Sequence, residues 1–177
     1  MEKSMKWFWT FLAFGVIGWI YEVAIVWFEQ HLGFVNRGFL WGPCLPIYGV
    51  GGLLILLVTA KARKHPLLVF LIICLLATGV ELAASYLLER WQGFVLWDYR
   101  DAGYGPTYQG RIAVRSSLQF GLMGMAAVYV VYPLVDWVTS KLQKKLPKGY
   151  LALTVMAAAA FLVDLIWHVI FGSNAKW

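Results

Sequence analysis

Apolar residues fall into runs of about 20, separated by short polar segments, the length at which an α-helix crosses a hydrocarbon core. The pattern predicts an all-α polytopic membrane bundle of five transmembrane helices, at about 7–28, 39–60, 67–89, 116–138 and 150–171, within one integral domain over residues 1–177. The second span is irregular at its outer end, where Gly42, Pro43, Pro46, Gly49, Gly51 and Gly52 crowd together. Two prolines three apart remove two backbone donors and disfavour helix before them, so a broken or re-entrant segment is expected, with regular helix from about Pro46. Such a helix would turn its positive N-terminal end to an outer cavity; a proline kink that only fits the neighbouring helices is the alternative.

Composition narrows the class further. Charged residues make up 14% and hydrophobic residues 61%, against about 25% and 45–50% in soluble domains. A soluble chain this short buries only about 70% of its unfolded surface and could not hide so much apolar area. Cys44 and Cys74 lie inside apolar stretches without CxxC spacing and read as small buried hydrophobes. The first span follows Lys3 and Lys6 as a signal peptide would, but its apolar run is too long and no A-x-A-like site follows, so it reads as uncleaved.

The net charge of +6 points to nucleic acid in a soluble chain and to a cytoplasmic lysine excess in a membrane chain. The second reading fits, and no nucleic-acid partner is expected. Lys3 and Lys6, then Lys61, Arg63 and Lys64, then Lys141, Lys144, Lys145 and Lys148 alternate along the chain as segments sharing one side. That places the N-terminus in the cytoplasm and the C-terminus outside a cell (inner) membrane. Five of six arginines (Arg37, Arg90, Arg100, Arg111 and Arg115) then fall on the outer side. Lysine would serve as the topology signal and arginine as a set of specific contacts, unless snorkelling alone explains the split.

Charge inside the spans is costly, at about 2.5–3.5 kcal/mol for a carboxylate near the bilayer centre. Glu22, Glu81 and Asp164 each sit toward the outer end of a span, so water in an outward cavity or the outer arginines are expected to compensate them. His168, four residues after Asp164, shares its helical face; the pair can relay a proton or lock the fifth helix. Asp136 reads as interfacial. The third connection, about 25 residues against a usual 2–8, has the length of a binding loop. In it Asp98 can pair with Arg111 or Arg115, or those groups can bind a polar substrate. Trp27, Trp41, Trp91, Trp97 and Trp167 read as an aromatic belt. Gly15, Gly18, Gly121, Gly124 and Ala157–Ala160 read as packing faces. Glu22 before Gly33-Phe34-Val35 and Glu81 before Gly93-Phe94-Val95 form a faint echo, matched by a parallel repeat or by chance.

Some chemistries leave no trace. No G-x-x-x-x-G-K-[ST], HExxH or GxSxG occurs, and the three histidines lie in different regions. No cofactor or metal site is expected, and any power for transport would come from an ion gradient or a separate energising partner subunit.

The run Gly18-Trp19-Ile20-Tyr21-Glu22, the segment Phe34-Val35-Asn36-Arg37-Gly38-Phe39-Leu40, Gly42-Pro43, and Pro46-Ile47-Tyr48-Gly49 resemble the ABC-transporter type IV (CmpB-like) family. Glu81, Trp97-Asp98-Tyr99, Gly110-Arg111 and Ser116-Ser117 extend the resemblance over about residues 7–138, with Gln109 standing where the family tends to have Asn. The resemblance implies a small bacterial multi-pass membrane protein whose recurring polar positions are Glu22, Asn36, Arg37, Glu81, Asp98, Tyr99 and Arg111. With Tyr48 and Arg115 these form the expected outward-facing substrate site, for an anionic or zwitterionic small molecule or headgroup. The expected function is that of a permease-like transport component embedded in the lipid bilayer, leaning away from an enzyme. An intramembrane enzyme on a lipid or cell-wall headgroup, with Glu22 or Glu81 as base, and a non-catalytic assembly subunit are the alternatives.

Overall fold

The computed structural model describes residues 2–29, 31, 33–36, 38, 40–95, 97–100 and 104–171. The fold is a helical bundle. Its helices are α1 (Glu2–Glu29), α2 (Pro46–Val58), α3 (Pro66–Gln92), α4 (Val114–Lys145) and α5 (Pro147–Phe171). A two-stranded antiparallel hairpin, β1 (Thr107–Tyr108) and β2 (Ile112–Ala113), precedes α4. Helices α2, α3 and α5 each begin at a proline, whose missing N–H is one that a first helical turn leaves unbonded anyway. Gly93 ends α3 in the left-handed conformation, at φ 80°, with its N–H on the Glu89 carbonyl at 2.8 Å.

Four helices, α1, α3, α4 and α5, are long and apolar enough to cross a membrane, and their most apolar windows are only 11–22% buried. Side chains such as Leu75, Phe28 and Val169 point away from protein, at 74%, 73% and 72% exposure. Lipid is the solvent that makes such faces stable, and the protein is a membrane protein. The second expected span is broken where the prolines predict. Residues 40–45 are irregular and α2 has 13 residues, about 20 Å at 1.5 Å each, against a core of about 30 Å. The fourth runs past its expected end to Lys145. A π-helical stretch at Ala127–Val131 precedes Pro133, whose ring cannot continue the regular i→i−4 ladder.

The chain divides into two compact units. Residues 1–54 and 131–177 form the first. Here α1 and α2 approach through glycine: a Cβ at Gly18 would collide with the Tyr48 ring, and one at Gly52 with Phe14. The Leu45 N–H donates to the Gly15 carbonyl at 3.0 Å. Lys6 pairs with Asp136, the residue expected to be merely interfacial, and Trp9 donates to Thr154 at 2.9 Å. Ala159 and Ala160, read as part of a packing face, are exposed instead.

Residues 55–130 form the second unit. Gly121 and Gly124 of α4 let Cys74, Phe70 and Ile73 of α3 come close. The hairpin turns at Gln109 and Gly110, both at positive φ (54° and 70°), the turn whose twist matches that of the paired strands. Arg63 donates to the Leu56 carbonyl at 3.1 Å and so caps the end of α2.

Candidate functional site

In the second unit, Thr78, Glu81, Ser85 and Glu89 follow one another at spacings of three and four, which puts them on one face of α3. The loop after α3 and the start of α4 fold onto that face. Tyr99 donates its hydroxyl to Glu81 Oε1 at 2.6 Å, and Ser116 Oγ donates to Oε1 and Oε2 at 3.1 and 3.4 Å. Thr78 and Ser117 share a hydrogen bond of 2.7 Å one turn away. Hydrogen bonds to a charged group are worth about 1.5–3 kcal/mol, so two hydroxyls offset the cost of a carboxylate at this depth. Neutral donors, rather than guanidinium groups, therefore meet this carboxylate. Oε2 accepts only the long bond from Ser116 among the described residues.

The arginines take other partners. Arg111 donates to Ser85 Oγ at 2.8 Å and Glu89 Oε2 at 2.6 Å, with its guanidinium 4.1 Å from the Tyr86 ring centre. Asp98 pairs with Arg100, not with Arg111 or Arg115 as expected; the partner two residues away leaves less loop entropy to lose. That pairing holds the Asp98 carboxyl at about 2, below its ordinary 3.8. Burial, and then the hydrogen bond to Glu81, pushes the Tyr99 phenol above its ordinary value. Tyr104 lies against Tyr99 with ring centres 4.9 Å apart, and Arg115 lies over Tyr104 at 5.0 Å. A cavity of about 400 Å³ opens beside this cluster, lined by Thr78, Ser117, Thr107 and the hairpin.

In the first unit, Tyr48 donates to Glu22 Oε1 at 2.6 Å. Asn36 Oδ1 accepts from Trp19 at 2.7 Å and from the Gly38 N–H at 3.0 Å, which organises the segment before α2. Arg37 lies outside the described residues. Asp164 of α5 accepts the Trp41 and Gly42 N–H groups at 3.0 and 2.8 Å, which satisfies backbone that the prolines leave without a helix. His168 is buried on the same helix.

For the expected site residues that are described, the contacts seen lie within one unit or the other. Glu22 meets Tyr48, Glu81 meets Tyr99, Arg111 reaches the second unit's cluster through Ser85 and Glu89, and Arg115 reaches it through the Tyr104 ring. Tyr104, Ser85 and Glu89 belong to that cluster and were not expected. The three-and-four spacing on α3 is the signal that finds the last two.

A polytopic helical membrane protein with polar clusters built on apolar helices is the class these features define. Within it, the family model described as Putative ABC-transporter type IV matches residues 9–169, and the chain belongs to that family. That places it among transport-associated membrane proteins. No curated protein and no solved structure matches the chain.

Proposed function

We propose that the chain is a permease-like transport component that binds a zwitterionic small molecule or lipid headgroup in its second unit, at the outer face of a cell (inner) membrane. One observation carries the reading: a carboxylate and a guanidinium, Glu81 and Arg115, stand at the two ends of the Tyr99–Tyr104 pair. An ammonium group can donate to the under-used Glu81 Oε2 and lie against the tyrosine rings, while a phosphate or carboxylate meets the planar fork of Arg115. The lysine distribution supports a cytoplasmic N-terminus and an external C-terminus. In the absence of a P-loop, energy comes from an ion gradient or a separate subunit.

The test is calorimetric titration of the purified protein in nanodiscs with phosphoethanolamine, ethanolamine and inorganic phosphate. The zwitterion binds at least about tenfold more tightly than either single-pole probe, a difference of about 1.4 kcal/mol. Glu81→Gln and Arg115→Ala each remove that preference. Equal binding of all three probes, or unchanged preference in both variants, overturns the reading. A second reading, a non-catalytic assembly subunit, is favoured by the internal pairing of Arg111 with Glu89 and Lys6 with Asp136; it expects no binding of any probe.

A further inference from the structure

A second cavity, of about 640 Å³, lies open at the C-terminal end of α3 and is lined by Tyr86, Glu89 and Arg90. Its charge can be worked out residue by residue. Glu89 is neutralised by Arg111, whose side chain is only 13% exposed and whose other nitrogen is held by Ser85. Arg111 also occupies one face of the Tyr86 ring. Arg90 is exposed, makes no hydrogen bond or ion pair among the described residues, and leaves the cavity with one positive charge. Apolar surface follows on the same helix: Leu87 and Trp91, each one residue along from the lining residues Tyr86 and Arg90, are 68% and 84% exposed. Trp91 ends the apolar span, the depth at which indole rings sit at the border between acyl chains and headgroups.

We infer that this cavity is a binding site for the phosphodiester headgroup of an anionic phospholipid, with Arg90 as its cation and Leu87 and Trp91 against the acyl chains. Charge complementarity selects the occupant. The planar guanidinium takes two oxygens of one phosphate, and the neighbouring Glu89–Arg111 pair contributes no net attraction or repulsion. The apolar rim favours a phosphate that carries hydrocarbon over a free one. The site shares Glu89 with the α3 face described above, but it uses neither Glu81 nor Arg115 and does not depend on the reading proposed for those two residues.

The experiment reconstitutes the full chain in vesicles containing equal parts phosphatidylglycerol and phosphatidylcholine, extracts it mildly, and counts the retained lipids by native mass spectrometry. Phosphatidylglycerol is retained in preference to phosphatidylcholine, and Arg90→Ala lowers that preference about fivefold, the worth of one cation at an anionic surface. Arg90→Lys keeps part of it, and Arg90→Gln behaves as Arg90→Ala, with circular dichroism verifying the fold of each variant. Equal retention of both lipids by the unaltered protein, or unchanged retention in Arg90→Ala and Arg90→Gln, overturns the inference. So does full displacement of phosphatidylglycerol by millimolar inorganic phosphate, which would identify the ligand as a soluble anion.

Discussion

The pairs Glu22–Tyr48 and Glu81–Tyr99 have the same 2.6 Å bond but different surroundings. Tyr48 stands on α2, with its ring in the space that Gly18 leaves open on α1. Tyr99 stands on a loop, shares its carboxylate with Ser116, and leads through Tyr104 to Arg115 beside an open cavity. The first pair is a strut between packed helices; the second leaves Oε2 with only the long bond from Ser116 among the described residues, as the proposed binding site requires. The same bond thus serves packing in the first unit and, in the proposed reading, recognition in the second.

The largest effect expected from this contrast is on stability. Gly18→Leu drives a side chain into the Tyr48 ring and costs about 3 kcal/mol, the upper end of overpacking penalties. Gly79→Leu, at a helical position with open space around it, costs under about 1 kcal/mol. Unfolding in detergent followed by circular dichroism measures both, and equal losses would remove the strut. Next in size, Tyr48→Phe destabilises by about 1–3 kcal/mol because it takes a hydroxyl from Glu22. Tyr99→Phe destabilises less, since Ser116 remains on Glu81, yet weakens phosphoethanolamine binding. The opposite ordering would mean that the roles are exchanged.

The smallest effect is a pH dependence in the loop. The folded Asp98 carboxyl is depressed from 3.8 to about 2, so its contribution to loop order is complete above the ordinary value and lost as pH falls from about 4 to about 2. Hydrogen exchange at the Arg100 amide, which donates to Asp98 at 2.9 Å, reports that loss once corrected for intrinsic rate. Asp98→Asn abolishes the dependence. Tyr99 has the opposite sign: its phenol is raised, so its bond persists past the ordinary 10.0 and is lost only as pH rises through the folded value.

Much of the fold is legible because long apolar runs and helix-starting prolines are local signals. Pro46 marks the start of α2 before any coordinate is known. The continuation of α4 to Lys145 is not legible in the same way, because a span is read from its apolar run and Lys141, Lys144 and Lys145 lie past that run; the π-helical turn before Pro133 has no local signature either. At the sites, the cost of charge in lipid singles out Glu22 and Glu81. Their partners are hidden, since Tyr48 and Tyr99 lie 26 and 18 residues away and nothing in the spacing distinguishes a phenol from a guanidinium as the donor. Ser85 and Glu89 are readable from helical spacing alone.

The grip of Asp164 on the Trp41 and Gly42 amides has a consequence for biogenesis. The acceptor emerges from the ribosome 122 residues after Gly42, roughly ten seconds later at ordinary synthesis rates. Until then those two amides must be kept by water, by the translocation machinery or by a temporary neighbour. The shape of the segment before α2 is therefore completed only when the last helix arrives, and a nascent chain stopped short of α5 carries that segment unfinished.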